Sequence, residues 1–152
     1  MSRIAVFAGS FDPITLGHYS IVEKAAPLFD KIYVAVGTNT SKSYLYEADQ
    51  RLAMAKQSFE RFSNVEIASF EGLTVDFCKT VNATFLLRGL RNNIDFEYEK
   101  PIAEMNRKLY PELETVFLIT DAEISCISSS IVRELIRNEG NVDRFLPPGL
   151  KL

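Results

Sequence analysis

The chain has 152 residues, of which 47% are hydrophobic and 24% are charged, as in one globular domain with a sizeable core. Its net charge of −3 argues against nucleic acid as the main partner, and no apolar stretch is long enough to span a membrane. One histidine and two widely separated cysteines argue against a zinc site, and both cysteines, Cys78 and Cys126, are expected to be reduced thiols. Without a signal peptide before the first predicted strand, a cytoplasmic location is expected.

Short β-branched runs alternate with amphipathic segments along the whole chain. Apolar runs predict five strands, at residues 4–8, 31–36, 65–68, 84–87 and 115–119. Helical spacing of apolar residues predicts five helices, at residues 17–29, 47–62, 74–80, 94–109 and 129–137. Pro101 predicts a kink or a restart of the fourth helix, and residues 142–152 are expected to pack without regular structure. This alternation predicts a single α/β domain, residues 1–152, with a doubly wound, parallel, five-stranded, Rossmann-like sheet.

The most informative cluster follows the first predicted strand. Ligands of such sheets bind beyond the carboxyl ends of the strands, where helix N-termini carry partial positive charge. Gly9 lets the backbone approach a phosphate closely, and the Ser10 hydroxyl and amide can donate hydrogen bonds to it. His18 lies on the first turn of the next predicted helix. An isolated histidine is more often structural, but the sequence Thr15-x-Gly17-His18 after a glycine turn favours a functional role.

Two more clusters follow later strands. Arg88 and Arg91 flank a glycine turn and could bind two phosphates through bidentate hydrogen bonds. A surface turn with two solvated arginines is an equally good interpretation of these residues taken alone. A run of serines precedes the last helix, at residues 125–130, and could donate to anionic oxygens or act as a plain helix cap. Lys42 lies in the polar loop after the second strand and, taken alone, is only a solvated charge.

The turn at residues 9–13 followed by Thr15-x-Gly17-His18 resembles the signature of the nucleotidylyltransferase superfamily. The strings Arg-Gly-Leu-Arg at 88–91 and Asp-Phe-Glu-Tyr-Glu at 95–99 are similar to those of its phosphopantetheine adenylyltransferase branch, and so is the serine run. That branch usually carries Thr at the position of Ser10, which keeps the hydroxyl. Pro101 departs from its usual helix. The resemblance spans residues 9–147.

The resemblance implies an adenylyltransferase of coenzyme A biosynthesis, which transfers AMP reversibly from ATP to 4′-phosphopantetheine without a covalent intermediate and yields dephospho-coenzyme A and pyrophosphate. The implied catalytic residues are His18, Lys42 and Arg91. The implied acceptor-binding residues are Ser10, Lys42, Thr74 and Arg88. The implied ATP-binding residues are Ser10, Phe11, His18, Gly89, Leu90, Arg91, Glu99, Ile124, Ser125, Cys126, Ile127, Ser128, Ser129 and Ser130. Mg²⁺ held mainly by phosphates rather than protein side chains is expected, and so is a homohexamer.

Three alternatives stay open at this point. A sister enzyme on the same fold would adenylylate nicotinamide mononucleotide or use CTP, and the strings at 88–91 and 95–99 argue against it. A non-catalytic nucleotide sensor is opposed by the presence of His18 and Lys42. A flavodoxin-like electron carrier shares the fold class but has no flavin signature here. Cys126 is expected to be a buried, unreactive thiol near the nucleotide.

Overall fold

The computed structural model describes residues 1–152 and contains the five predicted strands and the five predicted helices. The strands are β1 (Ile4–Gly9), β2 (Lys31–Gly37), β3 (Val65–Phe70), β4 (Phe85–Leu90) and β5 (Glu114–Ile119). The helices are α1 (Leu16–Ala25), α2 (Ala48–Phe59), α3 (Thr74–Thr80), α4 (Asn93–Leu109) and α5 (Ser129–Arg137). None of them combines the length and the apolar character that crossing a lipid bilayer requires.

The strands form one parallel sheet in the order β3-β2-β1-β4-β5, which confirms the predicted fold class. Because every strand runs in the same direction, all five carboxyl ends lie at one edge. The chain moves outward from β1 to β2 and β3, and then returns to place β4 on the other side of β1. This reversal of strand order leaves a crevice between the ends of β1 and β4, where ligands of such sheets bind.

Successive side chains of β1 enter two different cores. Ala5 and Phe7 belong to a large apolar cluster with residues of α1, α2, α5 and the carboxyl-terminal segment. Val6 and Ala8 belong to a smaller cluster on the other face, with residues of α3. Since side chains alternate across a strand, a sheet covered on both faces needs a continuous apolar run, and residues 4–8 supply one.

The structure refines several details of the predicted elements. The first helix ends at Ala25, four residues early, because Pro27 has no N–H to donate and disfavours helical geometry in the residue before it. Of the two alternatives left open at Pro101, a kink or a restart, the structure has no restart, because the fourth helix runs through this residue. The Glu97 carbonyl that Pro101 leaves without a donor lies on an exposed part of the helix, where water can bond to it. The carboxyl-terminal segment contains one short 3₁₀ helix, Asp143–Phe145.

Candidate active site

Two adjoining cavities open at the carboxyl edge of the sheet. The larger, of about 800 Å³, lies between the ends of β1 and β2, the loop after β2, the start of α3 and one side of α4. The smaller, of about 290 Å³, lies between the starts of α1 and α5 and the end of β4. Gly9, Arg88 and Glu99 line both cavities and therefore form part of their common wall.

The predicted site residues divide between the two cavities. All four predicted acceptor contacts line the larger one: Ser10, Lys42, Thr74 and Arg88. Most predicted ATP contacts line the smaller one: Phe11, His18, Gly89, Arg91, Glu99, Ile127, Ser128 and Ser129. Ser10, which was also predicted to contact ATP, lines only the larger cavity, and five predicted ATP contacts line neither: Leu90, Ile124, Ser125, Cys126 and Ser130. The individual roles stay predictions, but the spatial grouping matches the one that the motifs imply.

The ring of His18 is held by the start of its own helix. The backbone N–H of Thr15 donates to His18 Nδ1 over 3.0 Å, and the Thr15 hydroxyl accepts from the backbone N–H of His18. The ring of Phe11 packs edge-on against the imidazole, with 4.9 Å between the ring centroids. Because Nδ1 accepts a hydrogen bond, the proton of the neutral ring is on Nε2. Nε2 has no protein partner and is not sealed off from solvent, so it is an available donor in the smaller cavity.

The environment of His18 favours the neutral imidazole. Burial, and then the positive charges of Arg88 and Arg91, lower the pKa of His18 to about 4. Protonation would also put a hydrogen on Nδ1, opposite the Thr15 N–H that Nδ1 now accepts from. His18 in the free protein is therefore a neutral hydrogen-bond donor.

We expect the imidazole of the free protein to stay neutral throughout the physiological pH range. His18 is the only histidine in the chain, so its ring Cε1 proton gives one NMR signal that needs no assignment. The chemical shift should be constant from pH 8 to about 5.5 and should titrate with a midpoint near the pKa of about 4. A midpoint near 6.5, the ordinary value, would contradict the geometry described above.

Unpaired backbone amides lie at the starts of the two helices that border the smaller cavity. The first N–H groups of α1, from Leu16 and Gly17, and those of α5, from Ser129 and Ser130, donate to no protein acceptor. Two helix N-termini thus direct partial positive charge and free donors toward one space. The serine hydroxyls are partly structural: Ser128 Oγ accepts from the Ile131 N–H over 3.2 Å, and Ser129 Oγ donates to the Pro13 carbonyl over 2.9 Å.

Both arginines of the 88–91 string are paired with carboxylates of α4. Arg88 donates to the two Glu99 oxygens over 3.0 and 2.6 Å, and its remaining terminal nitrogen donates to the Ala8 carbonyl over 2.9 Å. Arg91 donates to Asp95 in the same bidentate manner, over 3.1 and 3.2 Å, and this bond holds the pKa of Asp95 below its usual value. Glu99 therefore orients Arg88 in the wall between the cavities, a relation that the sequence did not indicate.

A buried arginine that the sequence motifs did not reveal fixes the turn after β1. Arg51, on the first turn of α2, is 1% exposed and lies with its guanidinium carbon 4.0 Å from the centre of the Tyr44 ring. It donates to the carbonyls of Ser10, Gly37 and Tyr46 over 2.7, 2.8 and 3.1 Å. These bonds join the glycine turn, the end of β2 and the loop after it. No sequence signal identified this residue, because arginine at a helix start ordinarily faces solvent.

Other contacts hold the same turn from both sides. The Asp12 carboxylate accepts the backbone N–H groups of Leu45 and Tyr46 over 2.7 and 2.9 Å. From the opposite side, Arg133 of α5 donates to the Asp12 carbonyl over 2.8 Å. Ser10 and His18, which are separated by this turn, are consequently placed by tertiary contacts and not by the turn alone.

Gly89 lets the end of β4 lie directly against α1. A Cβ at this position would be 2.9 and 3.0 Å from two side-chain carbons of Ile21, which is buried. We expect Gly89→Ala to destabilise the protein by about 1–3 kcal/mol because of this overpacking. In an Ile21→Ala background the same change should cost less than about 0.5 kcal/mol, since the two substitutions share one contact. Urea denaturation of the four proteins measures this difference, and equal costs in both backgrounds would refute the steric explanation.

The prediction for Cys126 was wrong, because this side chain is exposed, in the loop between β5 and α5. A polar loop before the helix leaves it uncovered, and periodicity gives no information on burial outside regular elements. Cys78 is buried in the smaller core, where desolvation raises its pKa to about 11, and the two thiols form no disulfide. Thr120, which follows β5 and lines the smaller cavity, was not identified from the sequence.

Comparison with known proteins supports the motif-based interpretation. Residues 6–135 match the model of the cytidylyltransferase-like family. The chain is 48% identical to the phosphopantetheine adenylyltransferase of Flavobacterium psychrophilum over 150 residues, which cover 99% of each chain. It is 48% identical to the enzyme of that name from Cytophaga hutchinsonii, over 97% of this chain and 98% of the relative. A crystal structure of a candidate nicotinate-nucleotide adenylyltransferase from Vibrio parahaemolyticus has the same fold, with a TM-score of 0.74 at 16% identity over 97% of this chain and 88% of the other.

Proposed function

The chain belongs to the phosphopantetheine adenylyltransferase family, within the cytidylyltransferase-like superfamily, and on that premise we propose that it transfers the adenylyl group of ATP to 4′-phosphopantetheine. The products are dephospho-coenzyme A and pyrophosphate. The chain is then an enzyme of coenzyme A biosynthesis. The proposal assigns the smaller cavity to ATP and the larger one to the acceptor.

The observation that supports this assignment most directly is the common wall of the two cavities. Arg88 lines both, so a phosphate at the inner end of each cavity lies near the same guanidinium. The smaller cavity offers the N-termini of α1 and α5 to the anionic end of a nucleotide. The larger one has apolar side chains suited to an extended organic arm, including Leu73, Ile102 and Leu109. Two phosphorylated ligands can therefore meet at one point.

The reaction proposed here needs no protein nucleophile and no proton transfer. An anionic oxygen of the acceptor phosphate attacks the α-phosphorus of ATP in line, and the bond from that phosphorus to the β-phosphate oxygen breaks as pyrophosphate leaves. Two polyanions must approach each other, so the protein has to fix their geometry and stabilise charge. In this proposal His18 Nε2–H donates to the α-phosphoryl oxygen, while Lys42 and Arg91 offset charge and Arg88 and Ser10 hold the acceptor.

The chemistry of the donors around the smaller cavity fits a metal that arrives with the nucleotide. Its two acidic side chains, Asp95 and Glu99, are already paired with Arg91 and Arg88, and most of its other polar groups are N–H or O–H donors. We therefore propose that Mg²⁺ is bound mainly through phosphate oxygens. There it would offset the charge of the triphosphate and of the leaving pyrophosphate.

The experiment that tests the proposed function is incubation of the purified protein with ATP, Mg²⁺ and 4′-phosphopantetheine, with mass detection of dephospho-coenzyme A. Nicotinamide mononucleotide in place of the acceptor, and CTP in place of ATP, serve as the comparison substrates. Preferential product formation from either of them would assign the chain to a sister activity. Nucleotide binding without any product would favour a sensor.

We also propose a homohexamer, which follows from the family resemblance. Large apolar side chains of α4 that line neither cavity support an assembly: Ile94 and Met105 are 74% and 56% exposed. Such side chains are buried when the helix packs against another subunit. Light scattering that gave the mass of a monomer would contradict this proposal. The cytoplasmic location expected from the sequence stays a prediction.

A further inference from the structure

The hydroxyl of Thr120 has no assigned role and lies in an unusual position. The side chain follows the last residue of β5 and is 7% exposed, so it is among the few buried polar residues of the protein. Its Oγ1 forms no hydrogen bond with any protein group, yet it is not sealed inside the core. Thr120 lines the smaller cavity, and its Oγ1 would lie 3.8 Å from a Cβ built on Gly89, which lines the same cavity. A buried hydroxyl without a partner is costly unless something else bonds to it.

The surrounding backbone holds this hydroxyl in place. The N–H of Thr120 donates to the Leu90 carbonyl over 2.9 Å. On either side, Lys24 of α1 donates to the Ile119 carbonyl over 2.9 Å and to the Asp121 carboxylate over 2.7 Å. The residues before and after Thr120 are thus fixed to α1, and the residue itself is fixed to β4. A group held in this way is preorganised for a directional contact with a ligand.

The neighbours of the hydroxyl indicate which part of a ligand it meets. A Cβ built on Gly89 would be 3.8 Å from Thr120 Oγ1 and about 3 Å from Ile21, so Thr120 and Ile21 flank the same glycine. Neither neighbour is charged, and the nearby cation Lys24 is already paired with Asp121. A phosphate needs charge or several donors, whereas a flat heteroaromatic ring needs an apolar wall and one or two directional polar groups. The surroundings of Thr120 therefore fit a heteroaromatic ring and not a phosphate.

We propose that the Thr120 hydroxyl forms a hydrogen bond with the base of the nucleotide in the smaller cavity and contributes to the choice of that base. The inference rests on the proposed function for the identity of the nucleotide, ATP. The hydroxyl can donate to a ring nitrogen of adenine or accept from its exocyclic amine, and in cytosine these groups lie at different positions relative to the sugar. The phosphates then occupy the part of the cavity beside the two helix N-termini.

The test is Thr120→Val, which removes the hydroxyl and keeps the shape. KM for ATP should rise three- to tenfold, as expected for one neutral hydrogen bond, with KM for phosphopantetheine and inhibition by inorganic tripolyphosphate unchanged. Discrimination between ATP and CTP should fall by a similar factor. Thr120→Ser should restore the wild-type values. Thr84→Val, at the opposite end of the neighbouring strand, is the matched control and should change none of them.

Three results for Thr120→Val would overturn the inference. The first is an unchanged KM for ATP, and the second is an equal loss of affinity for ATP and tripolyphosphate. The third is a loss of affinity that disappears with 2′-deoxy-ATP or 3′-deoxy-ATP, which would place the contact at the ribose. Calorimetric titration with ATP tests the role of Thr120 independently of the proposed enzymatic activity, because it measures binding and not turnover. If the wild-type protein binds ATP but forms no dephospho-coenzyme A, the proposed function fails, and the affinity of Thr120→Val for ATP still decides the role of Thr120. A wild-type protein that binds no ATP refutes both.

Discussion

Replacing His18 with alanine is expected to lower kcat by about two to three orders of magnitude. The wild-type ring presents Nε2–H to the smaller cavity, because Thr15 donates to Nδ1 and fixes the tautomer. One preorganised donor to an oxygen that gains charge in the transition state contributes about that much to the rate of a group transfer. KM for ATP should change far less than kcat, since the bond strengthens mainly as the pentavalent phosphorus forms.

A continuous pyrophosphate-release assay measures this effect. The variant also loses half of the capping box at the start of α1, worth about 1 kcal/mol of stability, so the assay temperature must lie well below its melting point. Tyr19→Phe is a suitable control, because Tyr19 is the next residue on the same helix and its ring stacks on Phe59, away from the smaller cavity. It should retain nearly full kcat. A His18→Ala protein with near-normal turnover would refute the assigned role.

Replacing Arg51 with methionine is expected to destabilise the protein by about 3–5 kcal/mol, because several carbonyls lose their donor and each unsatisfied group costs about 1–3 kcal/mol. The substitution leaves three partly buried carbonyls, of Ser10, Gly37 and Tyr46, without this donor. For a chain of this size the melting temperature should fall by roughly 10 °C. The turn that carries Ser10 and the loop that carries Lys42 lose their common anchor, so KM for the acceptor should rise as well.

Differential scanning calorimetry of Arg51→Met, Arg51→Lys and Arg107→Met measures the three melting temperatures. The comparison separates the loss of stability specific to Arg51 from the loss caused by replacing an exposed arginine. Arg107 forms an exposed ion pair with Glu114, and its replacement should cost less than about 1 kcal/mol. Arg51→Lys keeps the charge but not the planar arrangement of donors, so an intermediate loss is expected. If Arg51→Met melted at the same temperature as Arg107→Met, the anchoring role of Arg51 would be wrong.

The spatial grouping of the predicted site residues has a simple physical basis. Ser10 directly follows β1, Arg88 lies near the carboxyl end of β4, and His18 and Ser129 lie on the first turns of the helices after β1 and β5. In a parallel sheet all strand ends meet at one edge. Position along the chain therefore implies spatial proximity for these residues. The same reasoning could not decide which side of the edge each residue faces, and several predicted ATP contacts, among them Leu90 and Ser125, line neither of the two cavities.

The sequence by itself determined the fold class, because the periodicity of apolar residues reports on burial and burial fixes which elements form. It also determined the position of the glycine turn and of the helix starts, since these depend on local backbone chemistry. Only the tertiary structure decided that His18 is neutral, that Glu99 is bonded to Arg88 and that Arg51 is buried. These properties depend on groups that are distant along the chain and meet only after folding, so no local pattern of residues encodes them.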